Sequence, residues 1–318
     1  MYIKGGAGFY NIKKERKPDM GQKDKTEKLL EDYNDVFADI INVLIFDGKK
    51  QVSPEALEDA QLKSQYKADD SRLHEQERDV MKYWKEEKVR LAVCGLENQT
   101  KIEEQMPLRI IGYEGANYRS QYGSKHIVPV VTLVLHFGTE KRWDKPLNLY
   151  GLINIPDGLE NYVNDYHINV VDIAWLTEEQ INQFTSDFSI VANFFVNKRK
   201  NPRYVPDDKR EIKHVDAVLK FLFAMTGDED YEKLIYNKNF KKEGASMCSV
   251  AQSLKEEGRA EGRAEGKAEG KAEGRVEGEN LILTLVQKMY ATGRGEEVQK
   301  VSEDAEYRMK IMREFDLK

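Results

Sequence analysis

Residues 78–100 read RDVMKYWKEEKVRLAVCGLENQT, and three of their side chains suit the holding of a hard cation: Asp79, Glu97 and Gln99. The stretch divides into a short strand, a charged turn and a second strand, Val89 to Leu96, that is almost purely apolar before it ends in Glu97, Asn98 and Gln99. Side chains alternate along a strand, so Glu97 and Gln99 share one face and Asn98 looks the other way. Two polar groups on one face at the end of a buried strand cost free energy unless something binds them. A divalent ion would meet that need. Mg²⁺ takes a few carboxylate oxygens and keeps several waters, which suits an Asp and a Glu arriving from neighbouring strands. Such an ion can orient a water for attack on a phosphodiester and neutralise charge as it develops.

The strands set a geometric condition on that chemistry. A symmetric hairpin turning through Lys85, Glu86, Glu87 and Lys88 pairs Asp79 with Cys94, three positions short of Glu97. At about 3.3 Å per residue the offset is roughly 10 Å, too far for two oxygens that share one ion. A bulge or a shift of register must close the gap.

The elements around the hairpin follow from hydrophobic spacing. Between residues 26 and 46 the residues Leu29, Leu30, Val36, Phe37, Ile40, Ile41, Leu44 and Ile45 recur at helical intervals, giving one amphipathic helix or two in succession. Ser53-Pro54-Glu55 has the form of a helix start. Residues 104–122 carry Leu108, Ile111 and Tyr118 at helical spacing, and HIVPVVTLVLHFG is a β-branched run that reads as a second buried strand. LNLYGLINI and HINVVDIAWL add two further strand candidates, and helices are expected over residues 177–184, 188–197 and 215–225. Strands interspersed with helices indicate an α/β domain.

In order and spacing, NDVFADIIN, RDVMKYW, LENQT, MPLRIIGYEGANY and PVVTLVLHFG resemble the PD-(D/E)xK nuclease superfamily. More closely they resemble its recombination-promoting nuclease and putative transposase family, the YhgA-like proteins, over roughly residues 30–225. The resemblance implies a restriction-endonuclease-like α/β core with a mixed central sheet flanked by helices. It implies a DNA endonuclease dependent on Mg²⁺ or Mn²⁺, with Asp79 and Glu97 on the metal and Asp35 as the helix acid completing the site. Asp39, one turn on, is the substitute should Asp35 point away. Gln99 stands where most of the superfamily has lysine. Glutamine can only hydrogen-bond, so slow or conditional cleavage is expected. The runner-up is a nuclease fold that binds DNA, or only itself, without useful catalysis.

Outside the acidic set, Arg109 and Tyr113 share a helix face and would either touch phosphate, orient Glu97, or form a surface Arg over a Tyr ring. The run NKRKNPRY, with Lys198, Arg199, Lys200 and Arg203, either tracks a nucleic-acid backbone or is a solvated loop. The five histidines make no metal pattern, and no Gly-rich phosphate loop is present. The net charge of -6 does not mark a nucleic-acid binder as a whole, but phosphate binding depends on local patches. Two cysteines, Cys94 and Cys248, indicate no disulfide framework. No apolar run approaches a membrane span, so a soluble cytoplasmic protein is expected.

Residues 258–278 read GRAEGRAEGKAEGKAEGRVEG, a four-residue repeat. Glycine every fourth residue costs a helix about 1 kcal/mol each against alanine, and i,i+4 neighbours such as Glu261 and Glu265 carry like charge. Poor helicity and a flexible tether are the simple expectation. The alternative is a helix whose Gly and Ala stripes admit another chain. The expected organisation is a flexible terminus (1–22), the nuclease-like domain (23–243), the repeat linker (244–278) and a small helical piece (279–318). That last piece offers Leu281, Leu285, Met289, Met309 and Met312 for burial against its own domain or for homo-oligomerisation.

Overall fold

The computed structural model describes residues 29–60, 63–67, 73–77, 79–86 and 89–317, so the expectation for residues 1–22 lies outside the described residues. Two compact units divide between Met247 and Cys248.

The first unit is built on a mixed five-stranded sheet. A 3-10 turn over Leu30–Asp32 leads into α1 (Asn34–Leu44), whose Val36, Phe37, Ile40 and Ile41 are buried, as their helical spacing requires. Ser53-Pro54-Glu55 opens only a 3-10 turn, Pro54–Ala56, and not the expected helix. The chain is taken at once into β1 (Leu57–Asp59), which pairs antiparallel with a later strand. After the separate hairpin of β2 (Lys63–Lys67) and β3 (Leu73–Glu77) come β4 (Val80–Glu86) and β5 (Val89–Gln99), the hairpin of the acidic set. Helix α2 (Met106–Ser120) carries the chain to β6 (Val130–His136), parallel to β5, and β7 (Asn169–Asp172) lies parallel to β6.

The sheet order is β1-β4-β5-β6-β7. Its central strand β5 and neighbour β6 are apolar nearly throughout because both faces are covered. On one face Met106, Ile110 and Tyr113 of α2 meet Val134 and Ile168. LNLYGLINI forms no strand and contributes only an isolated bridge from Asn148 to His167. The three expected helices are present as α3 (Glu178–Gln183), α4 (Phe188–Lys200) and α5 (Val215–Thr226), and α6 (Glu229–Tyr236) adds one not read from the sequence.

The second unit corrects the expectation for the repeat. Residues 258–278 lie inside one continuous helix, α7 (Met247–Ala291), with their side chains exposed. At the end of the repeat Arg275 and Glu279 form an i,i+4 ion pair at 3.7 Å, a length at which charge adds little support. Beyond it, Leu285 and Met289 bury themselves with Val301 of α8 (Val298–Glu303) and Ile311 of α9 (Ala305–Glu314). The end piece thus covers part of its own apolar surface, Met312 included, while Leu283, Tyr290 and Met309 stay exposed.

A Cβ placed on any of Gly258, Gly262, Gly266, Gly270, Gly274 or Gly278 meets nothing within 4 Å. Replacing Gly262 and Gly270 by Ala should therefore strengthen α7 by about 1 kcal/mol each and raise its helical circular dichroism on heating. A loss of helicity in that double variant would show that the repeat is not held as a helix in solution.

Candidate active site

The β4–β5 hairpin meets its geometric condition in two steps. Glu86 pairs with Val89, so the strands zip two residues further toward the turn than a four-residue loop allows. One more position comes from a bulge: Lys85 pairs with Arg90 but Trp84 with Ala92, leaving Leu91 as the extra residue of β5. From there the ladder runs to Val80 opposite Leu96, and its next step sets Asp79 opposite Glu97. The three missing positions are recovered.

Backbone and side chains then fix each acid. The Asn98 N–H donates to Asp79 Oδ2 at 2.7 Å. Glu97 is 2% exposed, and its Oε1 accepts from Arg109 Nη2 at 3.0 Å and from the Gln99 amide at 3.2 Å. Alternation on β5 holds as expected, with Glu97 and Gln99 facing α2. Asn98 faces the other layer, where its amide donates to Glu31 Oε2 at 2.8 Å.

Glu31 is the acid that sequence reasoning missed. It sits in the 3-10 turn ahead of α1, fully buried, with Oε1 lacking a hydrogen-bond partner. Burial, and then the negative charge of Asp79 and Asp32, push its carboxyl up to about 8 against the pull of the Asn98 bond. The only signal in the sequence was an acid in LLED immediately before an amphipathic helix.

Asp35 goes elsewhere. It accepts from Lys213 Nζ at 2.6 Å and from the His214 ring at 3.2 Å, tying α1 to the start of α5. Burial opposes its charge, yet these two partners hold its carboxyl below the usual range. Asp39 is no substitute, because it accepts from the backbone N–H groups of Thr185 and Ser186 at 2.8 and 2.7 Å, just ahead of α4. Both acids of NDVFAD dock the helix.

Arg109 and Tyr113 do share a face, with Arg109 Nε donating to the Tyr113 hydroxyl at 3.0 Å and Nη1 to Glu103 at 3.0 Å. Burial works against the guanidinium charge, but Glu97, the Tyr113 hydroxyl and Glu103 together outweigh it and hold the proton more firmly than usual. Burial and then Glu97 likewise push the Tyr113 hydroxyl upward. In the basic run, Arg199 is structural: its Nε donates to the Ala174 carbonyl at 2.7 Å and its guanidinium lies over Trp175. Lys198 lies over Phe194, and Lys200 and Arg203 are exposed.

Among the described residues no three His, Cys, Asp or Glu side chains form a ready-made metal cluster. The donor set nevertheless suits a hard cation. Two buried oxygens, Glu31 Oε1 and Asn98 Oδ1, have no hydrogen-bond partner, and both lie on the side of β5 where Asn98 also meets the Asp79 carboxylate. Mg²⁺ needs only one or two carboxylates beside water and substrate oxygens.

Glu31 makes stability depend on pH in a defined direction. A carboxyl raised from 4.5 to about 8 keeps its proton in the folded state while the unfolded chain has lost it. Stability from this group is therefore greatest below pH 4.5 and falls as pH rises toward 8, by on the order of 5 kcal/mol. In metal-free buffer, Glu31→Gln should gain stability over the wild type progressively across that window in paired urea melts. A constant difference between the two proteins from pH 5 to 8 would contradict the assignment.

Residues 71–201 match the model of the family described as putative transposase, YhgA-like, which bears out the resemblance carried by RDVMKYW, LENQT and the motifs that follow them. No curated protein and no solved structure matches the chain.

Proposed function

We propose, taking residues 71–201 as a segment of the YhgA-like putative transposase family, that this protein is a metal-dependent DNA endonuclease with a restriction-endonuclease-like core. The observation that carries the reading is the bulged register of β4 and β5, which brings Asp79 level with Glu97. Asp79 and Glu97 would hold Mg²⁺ or Mn²⁺, with Glu31 in the supporting place first assigned to Asp35. Bound there, a divalent ion would neutralise charge on a phosphodiester and make water a better nucleophile at neutral pH.

The chain's own residues divide the remaining work. Gln99 gives its amide N–H to Glu97, which leaves its carbonyl oxygen to accept from a water and orient it. It carries no charge. The fixed cation that a lysine would supply comes instead from Arg109 on α2, 3.0 Å from Glu97 Oε1 and always protonated. A guanidinium so placed can stabilise a pentavalent phosphate as charge grows on its oxygens. Glu31, protonated near neutrality, can give up its proton when positive charge arrives.

A binding role without cleavage is the second reading. It is favoured by the ion pair between Arg109 and Glu97, which already neutralises one of the two acids.

Nicking of supercoiled plasmid in Mg²⁺ or Mn²⁺ tests the proposal. Asp79→Ala should lower single-turnover cleavage by roughly 100-fold or more while the protein stays folded, the loss expected when a metal ligand is removed. Cutting at the wild-type rate by that variant would remove Asp79 from the site, and metal-independent mobility shifts with uncut DNA would favour the binding role. Arg109→Ala should depress turnover, and Gln99→Lys should keep or raise it. A wild-type rate for Arg109→Ala would remove Arg109 from the mechanism, and a wild-type rate for Gln99→Ala would show that the Gln99 amide takes no part.

A further inference from the structure

The three parallel strands end in a row of polar residues. Gln99 pairs with His136 across β5 and β6, and His136 pairs with Asp172 across β6 and β7. Open α/β sheets take ligands at the carboxyl ends of such strands. His136 is 1% exposed, and its Nδ1 donates to Asp172 Oδ1 at 2.7 Å. The same oxygen accepts the backbone N–H of Trp143 at 3.0 Å, so the carboxylate orients the His136 ring and leaves Nε2 as its remaining polar atom. Among the described residues Nε2 has no hydrogen-bond partner.

The ring lines a cavity of about 570 Å³. A Cβ on Gly138 would stand 2.4 Å from Nε2, so the missing side chain keeps the approach to that atom open. Four lysines line the same cavity, Lys101, Lys141, Lys145 and Lys198, against one carboxylate, Glu140. Lys141 and Lys145 are paired with Asp144 and Glu104 at 2.9 and 3.2 Å. Lys101 and Lys198 have no carboxylate partner among the described residues.

We propose that this cavity seats a phosphate group of the DNA strand, one nucleotide from the phosphate at Glu97 and Gln99. The proposal rests on DNA being the substrate. Neighbouring strands lie about 4.8 Å apart, so a backbone leaving Gln99 reaches His136 within about one nucleotide. Lys101 and Lys198 supply the charge, and His136, when protonated, donates from Nε2 to a phosphate oxygen. Asp172 acts as a positioning residue.

The test is made on the full chain with a 20-base-pair duplex, and separately with pyrophosphate, both without divalent metal. DNA affinity is measured against salt for the wild type and for Lys101→Ala/Lys198→Ala, two surface changes that spare the core. The His136 ring signals, assigned by His136→Gln among the five histidines of the chain, are followed with both probes. The double variant should bind DNA about ten-fold more weakly, with the slope of log K against log salt reduced by about 1.8. Both probes should shift His136, and Gly138→Ala should abolish those shifts. An unchanged salt slope would overturn the proposal. So would pyrophosphate shifting His136 when DNA does not, since the cavity would then take a free phosphate. A protein that binds DNA through these lysines yet never cuts it in Mg²⁺ or Mn²⁺ would defeat the nuclease reading and leave this site standing.

Discussion

One extra residue in β5 governs the geometry of the acidic site. Without the bulge at Leu91, β5 would pair one residue out of step, and Asp79 would face Leu96 and not Glu97. A slip of one residue also turns every side chain to the opposite face of a strand. Glu97 would then leave Arg109, and Asn98 would leave Glu31. Both faces of β5 are buried, with Leu96 and Cys94 on one and Val93 on the other, so the fit of side chains of different size resists such a slip. Core packing therefore holds the register, and the register holds the acids.

A second constraint fixes the helix that brings Glu31 to the sheet. Asp35 and Asp39 lie one turn apart on α1 and reach different segments, one at the start of α5 and one just ahead of α4. Two charge-assisted anchors on adjacent turns fix both the rotation and the axial position of a helix. Glu31, three residues before α1, inherits that placement. Its raised proton affinity follows from being set, fully buried, near Asp79.

Much of this was legible in the sequence, for identifiable reasons. Helices α1 and α2 follow from a buried face that repeats every 3.6 residues, and β5 and β6 from uninterrupted apolar and β-branched runs bounded by polar turns. The pairing of Arg109 with Tyr113 is local to one helix and was equally readable. Asp35 was misplaced because its partners, Lys213 and His214, lie 178 and 179 residues away, beyond any local pattern. Glu31 was missed because its partner Asn98 is 67 residues away. The helix start at Ser53 failed because pairing of Leu57–Asp59 with β4 outweighed a local capping signal. The repeat, poor in intrinsic propensity, lies between segments of α7 whose ends are rich in better helix formers, and helix propagation through it adds one hydrogen bond per residue.

The central claim is that Asp79 and Glu97 share one divalent ion. Anomalous diffraction from a crystal soaked in Mn²⁺ tests it most directly. The account predicts one strong peak at about 2.2 Å from a carboxylate oxygen of each residue. Well-ordered Asp79 and Glu97 side chains with no peak between them, and with Arg109 still on Glu97, would contradict it.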